Sequence, residues 1–480
     1  MKRAYFLTTT LPYVNADPHV GFALEMVQAD VLARYHHSLG EEVFFNTGTD
    51  EHGLKIYQKA IQEGKDPQAY TDEYAEKFRM LKEKLNLYPE LHFIRTTDPH
   101  HKKAAQEFWR RCKANGDIEK KFYKTKYCVG CELEKTDSEL VDGKCPTHPN
   151  LTIEIREEEN YFFKFFKYQK PLLELYTNNP DFVVPASRFN EIKTLVESGL
   201  SDFSISRLKA KMPWGVSVPD DPDHVMYVWF DALINYISTL GWPEDMAQFE
   251  KFWGTKESPQ AIQLGGKDQI RQQSAMWQAM LLSAGLPPSK QIFIHGFITG
   301  NGQKMSKSLG NVIDPYAIVD EYGTDALRYF LLRHIHPFED SDFTMEKFKE
   351  AYNADLVNGL GNLVARVMQM ASQYLDAPID MSDRRKPMSK GGWIEKFKFN
   401  DAIVALWSNM TIIDELIQNE KPFEVVKTDK EKAKLRVTYY VKELSRIAET
   451  LQVFMPETAQ KIQEAIQKNK KPMNLFPRKE

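Results

Sequence analysis

Cysteine is scarce in this chain, with four in 480 residues. That is too few for a disulfide framework, so a reducing, cytoplasmic compartment is expected. No apolar run approaches the roughly 20 residues of a membrane span, and no membrane association is expected. The start, Met-Lys-Arg-Ala-Tyr-Phe-Leu, leads straight into a strand pattern and carries no secretory apolar segment. Neither sign of charge dominates, since the formal net charge is −4. A global field that gathers nucleic acid is therefore excluded, and any polyanion must meet local basic surface. Gly-x-Gly-x-x-Gly and Walker loops are missing, which disfavours a dehydrogenase or a P-loop kinase. What is present is 42% hydrophobic residues, enough for sizeable cores, and length for about three domains.

The segment Gly302-Gln303-Lys304-Met305-Ser306-Lys307-Ser308-Leu309-Gly310 sets two lysines among small residues with glycine on both sides. Such a loop is too polar to serve as core, and it can close over a polyanion with Lys304 and Lys307 as point charges. A matching element lies upstream. Ala4 to Thr9 reads as a short buried strand, Pro12 to Pro18 as a loop, and His19-Val20-Gly21 as the start of a helix running to about Ser38, with Gly40 as its stop. Strand, turn and helix N-terminus make an anion site, because free backbone N–H groups and the helix dipole both favour phosphate. The imidazole of His19 can donate to that phosphate, and Gly21 leaves room for a base or ribose against the backbone.

Three of the cysteines have a pattern. Cys128-Val-Gly-Cys131 precedes Cys145-Pro-Thr-His148, two knuckles separated by 13 residues. Three thiolates and one imidazole suit a tetrahedral Zn²⁺, and a full set of four protein ligands makes it structural. Cys112, in a charged helical stretch, is a bystander. The knuckle sits in an insertion at 117–225 of short aromatic and charged strands. It splits an α/β unit formed by 1–116 and 226–309, with strands expected at Met226-Tyr-Val-Trp, Ala261-Ile-Gln-Leu and Gln291-Ile-Phe-Ile. A connector at 310–350 leads to amphipathic helices over 351–480. Asn358, Asn362 and Arg366 recur every four residues on one face there.

Pro18-His19-Val20-Gly21 and Lys304-Met305-Ser306-Lys307-Ser308 resemble the paired signatures of class I aminoacyl-tRNA synthetases. Thr10-Leu-Pro-Tyr-Val-Asn15, Thr47-Gly-Thr-Asp-Glu-His-Gly53, Tyr227-Val-Trp-Phe-Asp-Ala232 and Gly266-Lys-Asp268 narrow the resemblance to the methionyl-tRNA synthetase family, in family order along nearly the whole chain. The resemblance implies a Rossmann-type parallel sheet split by a zinc-containing connective domain, followed by a helical bundle that binds the anticodon. It implies methionine, ATP with Mg²⁺, and tRNA(Met) as partners. It gives His19, Lys304 and Lys307 to the phosphates, Gly21 and Asp268 to the nucleotide, and Asp50 to the methionine ammonium. Leu11, Tyr13, Trp229, Ala232, Leu233, Tyr236 and Gln273 fall at the methionine side chain. Asn362, Arg366 and Phe423 fall at the anticodon. The insertion is too short for the editing domain of the leucine, isoleucine and valine synthetases. The chain ends soon after Asn474-Leu-Phe-Pro-Arg478, without the dimerising domain of some relatives, so a monomer is expected.

Three positions depart from the family pattern. Phe22 stands where the second signature histidine falls, Gln273 replaces a pocket histidine and Met276 a neighbouring aromatic. Phe22 cannot donate to phosphate, and Arg271 is a candidate substitute. These departures leave an alternative open, a paralogue that adenylates another amino acid or charges a different acceptor. A silent RNA-binding protein is disfavoured by intact His19, Asp50, Asp268, Lys304 and Lys307.

Overall fold

Strand Ala4–Thr8 is buried almost throughout, as a central parallel strand covered on both faces must be. It anchors a six-stranded parallel sheet with the spatial order His92–Arg95, Glu42–Thr49, Ala4–Thr8, Ile262–Gly266, Gln291–His295, Val183–Val184. The chain builds outward on one side of Ala4–Thr8, then lays Val183–Val184 at the far edge before Ile262–Gly266 and Gln291–His295 fill the gap. The order reverses between Ala4–Thr8 and Ile262–Gly266, and the crevice at their C-terminal ends is where such sheets take ligands. The computed structural model describes residues 2–131, 133–135, 139–305, 310–381 and 391–479, without the side chains of Tyr123, Thr125, Leu133, Glu134, Arg156, Glu158 and Lys304.

Helix Val20–Ser38 follows the first strand, and Gly40, at φ +82°, ends it as expected. The 117–225 stretch forms a four-stranded antiparallel sheet in the order Leu133–Lys135, Ile118–Cys128, Glu154–Phe163, Phe203–Ser204. Two strand expectations hold, at Ile262–Gly266 and Gln291–His295. The third does not. Met226 ends strand Asp221–Met226 of a separate antiparallel sheet, and Val228–Ala232 is a helical turn. The run Val225 to Phe230 is apolar at every position, so no period separates strand from helix there. The edge strand Val183–Val184 also comes from within 117–225, so the two sheets interlock in sequence.

Beyond the sheet come helices Pro315–Tyr322, Thr324–Arg333 and Met345–Ala351. Helices Asn362–Tyr374, Phe399–Glu420, Lys430–Leu451 and Pro456–Gln467 then pack against one another. One apolar core runs from Leu7 and Val27 through Leu327 to Val441 and Phe454. Among the described residues no helix is long and apolar enough to cross a membrane.

Inside that core lies a fully buried ion pair, Asp30 with Arg328, at 2.6 Å. Arg328 also donates to the carbonyls of Leu85 at 3.1 Å and Phe454 at 2.8 Å, while Asp30 accepts from Arg34 at 2.8 Å and the Tyr88 N–H at 2.5 Å. Arg328 Nη2 also donates to Val453 O at 3.3 Å, so each guanidinium nitrogen and both Asp30 oxygens have a partner, as a buried pair requires. Arg328→Met should lower unfolding stability by about 3–5 kcal/mol, because Asp30 is left as an uncompensated buried charge. Asp30→Leu in the same chain should recover part of that loss. Urea denaturation of the single and double variants measures the coupling, and strict additivity would mean the pair is not coupled.

Candidate active site

His19 caps helix Val20–Ser38 with an extended backbone, and its Nδ1 accepts from the Gly21 N–H at 3.0 Å. The ring proton therefore sits on Nε2. Burial pushes the His19 pKa down to about 4, so at neutral pH the ring is an uncharged single donor. A Cβ on Gly21 would come within 2.8 Å of His19 Cε1. The sequence reading kept that space for a nucleotide, and here the imidazole occupies it. Phe22, half-buried, stacks on the ring with centroids 4.4 Å apart and planes 29° apart.

The second signature folds onto the same point. Asn301 and Gly302, both at positive φ, turn strand Ile298–Gly300 into Gln303–Lys304. The Met305 methyl lies 3.9 Å from where a Gly21 Cβ would be. After the loop, the Ile313 carbonyl accepts from the Val20 N–H at 3.1 Å. Lys307 and the Lys304 side chain lie outside the described residues. Asp268 is exposed on the turn Lys267–Gln269, directly after strand Ile262–Gly266 at the switch point.

Beside this end the chain gathers a cluster of aromatic and apolar side chains. The loop through half-buried Leu11 and Tyr13 bridges to buried Asp50 at the end of strand Glu42–Thr49, with Asp50 N–H donating to Pro12 O at 2.9 Å. Tyr13, Trp229 and Ala232 pack together, and Trp229 also touches the group holding Leu233, Tyr236 and Met276. Trp229 and Tyr236 do not share one continuous helix, since Val228–Ala232 and Asn235–Ser238 are separate turns. Gln273, fully buried, donates from Nε2 to Tyr236 Oη and to Leu264 O, both at 3.0 Å. Because Gln273 supplies the proton in that bond, the Tyr236 hydroxyl keeps its own hydrogen for another acceptor.

Two buried ionic groups that brace these walls escaped the sequence reading. Glu25 accepts from Thr10 N at 2.5 Å, from Thr10 Oγ1 at 2.7 Å, and from His295 Nε2 at 2.9 Å. His295 Nδ1 donates to Gly296 O at 2.7 Å, so both ring nitrogens carry protons. Burial alone would lower its pKa, but the Glu25 carboxylate raises it overall. The signal was a lone acid in the apolar run Ala23-Leu-Glu-Met-Val27. The second group is Asp231, held by His52 Nδ1 at 2.6 Å and His101 Nε2 at 2.9 Å. Burial would raise that carboxyl, but the neighbouring His52 and hydrogen bonds from both imidazoles hold it far below the carboxylate range. His52 and Asp231 sit in motifs already quoted, but nothing in their spacing pairs them.

Cys128, Cys131, Cys145 and His148 converge, with all four ligand atoms within 4.8 Å of one another. Cys131 Sγ is 3.4 Å from Cys145 Sγ and 3.2 Å from His148 Nδ1. A tetrahedral zinc with bonds of about 2.0–2.3 Å spans such separations, so the donor set fits the ion. Gly130 is needed here, because a Cβ would strike the His148 ring at 2.4 Å. Lys55 donates to Gly130 O at 3.1 Å, and Arg271 pairs with Glu139 at 3.0 Å, fastening the knuckle region to the α/β half. Arg271, the candidate stand-in for the lost signature histidine, thus has one guanidinium nitrogen on Glu139. Cys112 is buried in helix Pro99–Ala114, apart from the cluster.

On the helical bundle, Asn362 is exposed, Arg366 pairs with Asp414 at 2.7 Å, and Phe423 is 46% exposed in the turn Pro422–Val425.

A parallel sheet with two signature segments meeting at its switch point is the arrangement of a class I synthetase. Residues 5–152 and 149–368 match the family described as tRNA synthetases class I (M). The chain belongs to this family, in its methionine branch. It is 47% identical to the methionine–tRNA ligase of Thermosynechococcus vestitus over 79% of this chain and 71% of that protein. It is 39% identical to the ligase of Thermotoga maritima over 98% and 76% respectively. Among solved structures, Mycobacterium tuberculosis methionyl-tRNA synthetase in complex with methionyl-adenylate superposes with a TM-score of 0.89 at 36% identity, covering 96% of this chain and 93% of that one.

The cluster makes a direct prediction. Purified protein should contain about one zinc per chain by elemental analysis, because four donors close one site. Cys145→Ala should lose the ion and loosen the insertion while the nucleotide half stays folded. Full zinc content in that variant would remove the assignment.

Proposed function

We propose that this chain activates methionine with ATP and transfers the methionyl group to the 3′ end of tRNA(Met). The observation that supports this reading is the meeting of a capped helix N-terminus with the hairpin of Ile298–Gly300 and Gln303–Lys304, beside packed Tyr13 and Trp229 and buried Asp50, in a chain of the methionine branch. That membership favours the reading over a paralogue acting on another amino acid.

In the first step the methionine carboxylate attacks the α-phosphorus, and pyrophosphate leaves. No protein nucleophile is required. The site must hold two anions together and stabilise charge that spreads over the phosphates. His19 supplies a neutral Nε2–H donor, because the first N–H groups of the helix are already taken, Val20 by the Ile313 carbonyl and Gly21 by His19 Nδ1. Lys304 and Lys307 meet the β- and γ-phosphates, and Mg²⁺ arrives with ATP. Asp268 accepts from the ribose hydroxyls, and Gly21 admits the His19 ring to its place. Asp50 meets the ammonium. Leu11, Tyr13, Trp229, Ala232, Leu233 and Tyr236 enclose the thioether, with Gln273 orienting the Tyr236 hydroxyl toward it. Sulfur against aromatic edges is a favourable contact. In the second step the terminal adenosine hydroxyl attacks the acyl carbon, and AMP leaves.

The zinc held by Cys128, Cys131, Cys145 and His148 is structural in this proposal. The division of labour is 1–116 with 226–309 for adenylation, 117–225 as connective domain, 310–350 as connector and 351–480 for the anticodon. There Asn362 and Arg366 present polar groups to bases, and Phe423 offers a face for stacking. A cytoplasmic monomer is part of the same reading.

Pyrophosphate exchange with each of the twenty amino acids tests the activity. Methionine should support it far above the rest, and a different preferred amino acid would select the paralogue reading. Lys304→Ala and Lys307→Ala should lower the rate of adenylate formation more than they raise the KM for ATP, since contacts made only in the transition state appear in kcat. A pure KM effect in both would remove the loop from the chemistry.

Phe423→Ala should raise the KM for tRNA by the loss of one stacking contact, about 1–3 kcal/mol, with pyrophosphate exchange unchanged. Equal loss of both activities would point to a folding role for the bundle instead.

A further inference from the structure

Phe22 occupies the third position of helix Val20–Ser38, three residues beyond the cap, on the face that the capping side chain folds back over. Its ring lies against the His19 imidazole at 4.4 Å between centroids and 29° between planes, an offset stack. Behind it, the buried ring of Phe78 from helix Pro67–Arg79 meets Phe22 edge-on at 5.4 Å and 83°. At its Nδ1–Cε1 edge the imidazole meets Gly21, where even a methyl group would collide, and its Nδ1 is tied to the Gly21 N–H. The ring is thus held on one face by Phe22 and at one nitrogen by Gly21, which leaves the proton on Nε2.

We infer that Phe22 is a positioning residue for His19, an aromatic platform that fixes the one remaining imidazole donor in place of supplying a second. This rests on the proposed role of His19 at the phosphates. A donor already aimed where charge develops loses no reorganisation energy during the reaction, so orientation makes up for donor number. The inference also accounts for the arrangement without a replacement cation, since Arg271 is engaged by Glu139. Phe22 works through His19 and touches no reacting atom itself.

The test is a double-mutant cycle read by single-turnover adenylate formation. Phe22→Leu keeps an apolar side chain but removes the stacking face. It should slow adenylate formation by about tenfold or more with little change in the KM for ATP. In a His19→Ala background the same change should do nothing further, because its route of action is gone. Phe22→Tyr, which keeps the aromatic face, should stay close to the parent rate. If Phe22→Leu is silent while His19→Ala is severe, the platform has no role and the inference falls alone. If the two losses simply add, Phe22 acts on the fold and not through His19, and the inference is overturned. If His19→Ala is itself without effect, the reading of His19 at the phosphates fails, which is a separate outcome.

Discussion

The buried Asp30–Arg328 pair sits where everything else has to meet. Asp30 lies in the helix that carries His19 and Glu25 toward the switch point, and Arg328 lies in the helix that leads out to the bundle. Arg328 also caps backbone carbonyls on both sides, at Leu85 and Phe454. Two charges removed from water are expensive, and here the cost is offset by the partners that each guanidinium nitrogen and each carboxylate oxygen finds. A small shift of the helix relative to the bundle would leave one of these groups unpaired. The pair therefore acts as a registration device between the adenylation core and the helical region, and apolar packing alone, being non-directional, could not do this.

The same logic recurs around the site. Glu25 with His295 ties the first helix to the end of strand Gln291–His295, while Thr10 joins from the loop between. Asp231 with His52 and His101 ties the Asp50-bearing segment to the turn that carries Trp229 and Ala232. The two walls of the crevice are thus each braced by a buried, fully engaged carboxylate. A site that has to hold two anions a bond length apart needs walls that do not relax, because misplacement by about 1 Å can cost two orders of magnitude in rate.

Much of this was legible in the chain itself. The helix Val20–Ser38, its glycine stop, two of three inner strands and the four metal ligands follow from local signals: periodicity, turn residues and knuckle spacing. The errors fall where those signals are silent. Val225 to Phe230 is apolar without a period, and its division into strand and helical turn depends on which neighbours cover it. The edge strand Val183–Val184 is two residues long, shorter than any pattern can register. The contact of Arg271 with Glu139 spans 132 positions, beyond the reach of any local pattern.

By itself the sequence determined the chemistry on offer: which side chains can bind phosphate, ammonium, thioether and metal, and which helices and strands present them. These are properties of single residues and of short repeats, and they need no partner to be read. Only the tertiary structure decided how the groups are spent. It put the His19 ring in the space beside Gly21, laid Phe22 against it, paired Glu25 with His295 and Asp231 with two histidines, and set Arg271 against Glu139. Each of those outcomes is a contact between segments that are distant in sequence or a fold-back whose space is set by neighbours. Their energies come from burial and matched charge, which exist only once the chain has closed on itself.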